Sequence, residues 1–184
     1  MTWQTCQVCP TFNSMNHYYH IYNHANGIEN LFIDDGNFNF FLLKAKRYVF
    51  PTSEILAFCL LPNHFHFLIK TRDSELKSFK GLSDLFNSYT KSFNKLFHRR
   101  GSLFLKSYKK KFEYTNGDIK RIILYIHRNP IHHGFIAQYT AWQYSSYQNI
   151  VGNDPGLVSK EEVLSLFGGL ENFILEHERY KTAE

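Results

Sequence analysis

The stretch Leu61-Pro62-Asn63-His64-Phe65-His66-Phe67-Leu68-Ile69 constrains this 184-residue chain more than any other. Phe65, Phe67 and Ile69 alternate with His64, His66 and Leu68, the period of a β-strand with different faces. In that strand both imidazoles leave one face with Cα atoms ~7 Å apart, close enough for two ring nitrogens to meet one cation. The opposite face is apolar and anchors the strand in a core. Leu61-Pro62-Asn63 is a tight connection from a preceding apolar run, which makes the two strands an antiparallel pair. Taken alone, the His-x-His pair fits either a metal-binding pair or histidines hydrogen-bonded inside the fold.

A second segment, Tyr125-Ile126-His127-Arg128-Asn129-Pro130, lies about sixty residues downstream. Asn116-Gly117-Asp118 has helix-start chemistry, and Ile119, Ile122, Ile123 and Ile126 recur at helical spacing until Pro130, which is expected to stop the helix. Tyr125 and Asn129 then share a face one turn apart. An Asn side-chain oxygen can serve as a third ligand to a divalent cation, and a tyrosine one turn before it would meet whatever that cation polarises. The simpler alternative has Tyr125 packed in the core and Asn129 capping the helix end.

Charge points toward a polyanionic partner through its distribution rather than its total of +5. From Lys91 to Lys111 the chain carries Lys91, Lys95, Arg99, Arg100, Lys106, Lys109, Lys110 and Lys111 without one Asp or Glu, leaving the remainder net negative. A phosphate backbone is drawn to such a patch, with affinity that falls steeply with salt. Phe93, Phe97, Phe104, Tyr108 and Phe112 interleave with these cations and could stack on unpaired bases. Phe93 and Phe97, four residues apart, equally fit the buried stripe of a helix with a solvated basic face.

With 43% apolar and 17% aromatic residues, the chain can fill one substantial core, and its length suits a single domain. No run approaches the ~20 apolar residues of a membrane span, and the start lacks a basic segment followed by an apolar one, so a soluble cytoplasmic protein is expected. Cys6 and Cys9 form a C-x-x-C with His17 and His20 behind it; this is either a second metal site or, more simply, an unstructured tail. Periodicity predicts strands over 17–25, 54–60, 63–70 and 103–114 and helices over 37–49, 75–99 and 116–130. Further helices are expected near 160–166 and 170–180, giving an α+β protein with an antiparallel sheet and helices on one face.

Together the two motifs resemble the single-tyrosine HUH transposases, most closely the REP-associated branch. Their pattern is His-hydrophobic-His on a strand and Tyr-x-x-x-Asn on a helix, within the phrase Tyr-Ile-His-x-Asn-Pro. The resemblance extends to His20-Ile21-Tyr22-Asn23 with Leu31-Phe32-Ile33-Asp34-Asp35, to Gly101-Ser102-Leu103-Phe104 with Tyr108-Lys109, and to Trp142-Gln143-Tyr144-Ser145-Ser146-Tyr147. These matches span about residues 17–150; beyond about 155 the likeness is less specific. After Asn129-Pro130, relatives often carry a small and then a basic residue where this chain has Ile131-His132-His133-Gly134.

The resemblance implies a ferredoxin-like sandwich, an HUH nuclease core over about 17–150 with a C-terminal helical extension over about 155–184. It implies His64, His66 and Asn129 as metal ligands, Mg²⁺ or Mn²⁺ as the metal, and Tyr125 as the nucleophile. The substrate would be single-stranded or hairpin DNA, cut and rejoined through a 5′-phosphotyrosine, with Arg99, Arg100, Lys106, Lys109, Lys110 and Lys111 on the DNA. Homodimers occur in many relatives. Against this stand a DNA-binding protein that keeps the fold without catalysis, disfavoured because all four active positions are intact, and another HUH nuclease or a two-histidine phosphoesterase. The last would require a second H-x-[ST] motif, which the chain lacks.

Overall fold

A computed structural model describes residues 17–72, 74–113 and 115–180, with the backbone alone for 109–113. Cys6 and Cys9 lie outside the described residues. The elements run β1 (Tyr18–His24), α1 (Asp35–Tyr48), β2 (Ser53–Leu61), β3 (His64–Thr71), α2 (Glu75–Leu96), β4 (Lys109–Glu113) and α3 (Asn116–His132). After a short 3₁₀ turn over Tyr139–Ala141 come α4 (Tyr147–Val151), α5 (Lys160–Phe167) and α6 (Leu170–Arg179). The four strands form one sheet in the order β2-β3-β1-β4, each neighbouring pair antiparallel. This is the β-α-β-β-α-β winding of the ferredoxin-like sandwich.

Period-two alternation assigns the two faces. On β3, Phe65 and Phe67 meet Phe41 of α1, and Phe65 also meets Phe86 of α2. Phe32, Phe41, Phe65, Phe67 and Tyr89 are all essentially inaccessible, and the Tyr89 hydroxyl donates to the Leu31 carbonyl at 2.6 Å, satisfying its one polar atom in the core. This is the helical layer expected from the sequence. A second layer lies on the other face, where His64 and His66 meet Asn129 and Tyr125 of α3. β3 is therefore buried on both sides, and its polar alternation marks a site rather than a solvent face.

Gly81, inside α2, is where the first layer closes most tightly. A Cβ there would stand 2.3 Å from the Tyr48 carbonyl oxygen at the end of α1, far inside van der Waals contact. On an exposed helix Gly→Ala stabilises by nearly ~1 kcal/mol. Here the sign reverses: Gly81→Ala is expected to destabilise by ~1–3 kcal/mol, read as a fall in melting temperature of several degrees.

The family-like phrases outside the histidine strand do structural work. Trp142 Nε1 donates to the Leu60 carbonyl at 2.8 Å, the Leu60 amide to the Tyr144 carbonyl at 2.9 Å, and Ser146 Oγ accepts the Phe58 amide at 2.8 Å. The segment thus covers the otherwise open edge of β2, which would invite strand pairing. Gly101-Ser102-Leu103-Phe104 lies beside the end of β1, where Ala25 bridges Phe104 and the Leu105 amide donates to the His24 carbonyl at 3.0 Å. The regular strand β4 therefore begins only at Lys109; the predicted stretch from 103 opens as an isolated bridge.

Two expectations about ends and contacts change. Thr115 caps α3, its Oγ1 accepting the Asp118 amide at 3.1 Å, and the helix runs through Pro130 to His132. Proline forfeits one amide donor, yet the turn closes through the His133 amide on the Asn129 carbonyl at 3.0 Å, and the chain leaves the helix at Gly134, φ +71°. His17 pairs with Glu75 at 2.6 Å, on the α2 side, whereas His20 points to His66 across the sheet. These two histidines lie on opposite faces and cannot share one ion.

Candidate active site

Strand register gathers the site. His24 pairs with His64 and Tyr22 with His66, so β1 and β3 present His20, Tyr22, His24, His64 and His66 on one face. Their rings pack closely: His24 stacks on His64 with centroids 4.6 Å apart and Tyr22 on His66 at 5.5 Å. α3 lies across them, placing the Tyr125 ring edge-on to His66 at 5.7 Å and His133 against His64 at 4.6 Å. All four residues expected at the reactive centre, His64, His66, Tyr125 and Asn129, are thus in one place.

Tyr125 and His66 line an open cleft of about 400 Å³ together with His20, Tyr22, Asp118, Arg121, Ile122 and Tyr180. Arg121 is ion-paired to Asp118 one turn before Tyr125. His64 and Asn129 lie behind this lining, 2% and 0% exposed. Tyr180, just past α6, brings the C-terminal segment to the cleft mouth.

Protonation follows from the partners. Asn63 Oδ1, an acceptor, sits 2.7 Å from His64 Nδ1, which requires the proton there and leaves Nε2 a bare lone pair. Burial pushes the His64 pKa down to about 4 and holds His66 well below its ordinary value, so both rings are neutral near pH 7. His66 Nδ1 lies 2.9 Å from His20 Nε2. With the His66 proton donated to His20, its Nε2 is also bare, the arrangement in which an outer partner orients a metal-binding imidazole.

The donor set fits a divalent cation on one further observation. His64 Nε2 faces Asn129 Oδ1 at 3.1 Å while Asn129 Nδ2 is buried without a hydrogen-bond partner. Two acceptors at that separation repel, and turning the amide over only moves the unpaired atom from nitrogen to oxygen. Adjacent ligands of an octahedral Mg²⁺, each ~2.1 Å from the ion, are ~3 Å apart. A cation between Nε2 and Oδ1 would therefore convert the repulsion into two bonds. Among the described residues no group of three or more His, Cys, Asp or Glu could hold a metal ion; this donor set is instead two imidazoles and an amide, compatible with Mg²⁺ or Mn²⁺.

The other half of the Tyr-Ile-His-x-Asn-Pro phrase faces away from the cleft. His127, fully buried, lies 2.7 Å from Ser146 Oγ and 2.8 Å from His177 Nε2, and His177 Nδ1 donates to the Phe173 carbonyl at 2.7 Å. One neutral assignment satisfies every member: Ser146 donates to His127 Nε2, and His127 Nδ1–H donates to His177. The chain ties α3 to the β2 edge and to α6.

Sequence reasoning missed His20 and Asn63 as orienting partners in this site, and His177 on the far side of α3. His20 could have been found from pairing, since only an antiparallel β1 beside β3 brings residues 20 and 66 together. His177 had no sequence signal.

The basic residues divide. Arg100 and Lys106 are exposed, whereas Arg99 is committed to Glu29 and also bonds Asn94 Oδ1 at 2.6 Å, fastening the end of α2. Lys109 and Lys111 lie in register with Tyr22 and His20, and Lys110 with Ile21. Of the interleaved aromatics, Phe93 and Phe104 are buried and cannot stack on bases. Phe97 packs on Phe93 with centroids 4.5 Å apart.

No family model and no curated protein matches the chain. Among solved structures, one described as a REP-associated tyrosine transposase bound to a REP hairpin superposes with a TM-score of 0.58 and 18% identity, over 80% of this chain and 86% of that one. At that identity the likeness is one of fold. No helix among the described residues is long and apolar enough to cross a membrane.

Proposed function

We propose that this chain is a metal-dependent strand transferase of the single-tyrosine HUH type, in the REP-associated branch, that cuts and rejoins single-stranded or hairpin DNA. The observation that carries the reading is the convergence of Tyr125, His66 and the unpaired His64–Asn129 acceptors at one cleft. The REP-hairpin complex of the structural neighbour supports DNA as the partner.

A phosphodiester resists attack through its own charge, and Mg²⁺ or Mn²⁺ held by His64, His66 and Asn129 would neutralise and orient the scissile phosphate. Tyr125 supplies the nucleophile. Its Oη bonds to phosphorus, the P–O3′ bond breaks, and the proton lost from the phenol is balanced by one gained at the leaving 3′-oxygen. The 5′-phosphotyrosine conserves the bond energy, so another 3′-hydroxyl can reverse the step and join a new partner without a nucleotide cofactor. Asn63 and His20 keep the ligand rings oriented with Nε2 toward the site. Arg121, in the cleft wall, can meet the incoming phosphate if it exchanges Asp118 for it.

The test is a denaturing gel of the protein with labelled hairpin oligonucleotides from DNA flanking its own gene. A covalent adduct that needs Mg²⁺ or Mn²⁺, disappears with chelator and is lost in His64→Ala is the expected result. Binding without adduct under any metal would favour a DNA-binding protein that no longer cleaves.

A further inference from the structure

On the face of the sheet opposite the histidines, α2 and the segment 102–108 enclose a separate recess of about 370 Å³. Its accessible aromatic ring is the half-buried Tyr108, set against the buried Phe86 at 5.5 Å and 60°, with Phe104 buried behind the recess. Its rim is polar. Asn87 and Lys106 are exposed and Thr90 half-buried, and none of the three has a side-chain hydrogen-bond partner among the described residues. Asn23 closes one end, its Nδ2 holding the Leu105 carbonyl at 3.3 Å.

We propose that this recess takes one unpaired nucleobase of the DNA strand handled at Tyr125, an inference that rests on the DNA reading above. The Tyr108 ring can receive the flat face of a base, and an amide, a hydroxyl and an ammonium at the rim can meet its polar edge. Lys106 is exposed at the rim, where its ammonium can meet the backbone of the strand outside. Asn23 sits between Tyr22 and His24 on β1 but faces the other way, and Ala25 bridges Phe104. The recess and the His64 end of the reactive site therefore share one end of β1. A strand rounding that end with a base seated in the recess is held in register with the nucleophile, so the recess selects which phosphate is cut.

The probe is a fluorescent hairpin with single-stranded tails on both sides, drawn from DNA flanking the gene, with each tail position replaced in turn by an abasic site. Stacking of one base is worth ~1–3 kcal/mol, so one position should weaken binding about 5- to 150-fold in the unaltered protein. In Asn87→Trp, an exposed substitution that fills the recess without touching the core, the intact probe should bind more weakly and the abasic penalty at that position should vanish. Tight binding with a flat abasic profile, or an equal penalty in Asn87→Trp, would overturn the recess and leave the DNA reading standing. Failure to bind any tailed hairpin, with native folding confirmed by circular dichroism, would overturn both.

Discussion

Tyr125→Phe should abolish the covalent protein–DNA adduct, lowering strand cleavage by at least ~10³-fold, while changing hairpin affinity by less than a factor of about three. The substitution removes one oxygen. The ring stays, so its edge-on contacts with His66 and His20, centroids 5.7 and 6.1 Å away, survive and hold α3 in register. Tyr125 is half-exposed at the cleft and no hydrogen bond within the described residues depends on its hydroxyl, so stability should move by less than ~0.5 kcal/mol. The comparison with Tyr22→Phe makes the outcome specific. Tyr22 lines the same cleft and stacks on His66, so a general loss of cleft polarity would affect both variants, whereas loss of the nucleophile affects Tyr125 alone. Adduct retained in Tyr125→Phe would place the nucleophile elsewhere.

The fold and the residues of the candidate site were unequally legible in the sequence, for physical reasons. Alternation over residues 64–69 is a local property of the strand, and so are the apolar period of α3 and the Tyr125–Asn129 spacing. Each could be read without knowing what packs against it. The orienting contacts are not local. His20 reaches His66 only because β1 inserts between β3 and β4, an outcome of topology that no window of sequence contains. The same holds for His127. Its place in the Tyr-Ile-His-x-Asn-Pro phrase suggests a catalytic role, yet it points to the opposite side of the helix and is used to anchor α6. Adjacency in a motif did not mean adjacency in the site, because residues two apart on a helix face different directions.

The basic stretch shows the converse. Counting charges marked a stretch suited to a polyanion, but not which cations are available. Arg99, near the middle of that stretch, is spent on Glu29 and Asn94, while Lys106 stands at the rim of the recess behind β1. Aromatics divided likewise: Phe93 and Phe104 satisfy the core, and Tyr108 is left at the recess. The distinction is one of burial, which depends on the packing of α2 against the sheet rather than on spacing along it.

Stability should fall as pH drops from about 7.5 to 5, well before carboxylates titrate. Burial pushes the His177 pKa down to about 4 and holds His127 well below its ordinary value, with each ring also disfavouring charge on its neighbour or meeting that of Arg128. The folded protein keeps both neutral while the unfolded chain binds protons from about pH 6.5 downward. Because the folded pKa values are depressed, their contribution is complete above the unfolded value and is lost as pH falls toward the folded one. Each histidine adds a slope of up to ~1.4 kcal/mol per pH unit, so this pair should remove roughly 2–4 kcal/mol between pH 7.5 and 5. Acid entry would also break the ordered hydrogen bonds from Ser146 through His127 to His177 and the Phe173 carbonyl, freeing α6 and with it Tyr180 at the cleft. Thermal unfolding across that range should therefore show a falling melting temperature, and the double variant His127→Leu/His177→Leu should be less sensitive to pH even though it loses the hydrogen bonds. An unchanged slope in that variant would assign the acid sensitivity to His64 and His66 instead, the two other rings that burial keeps neutral.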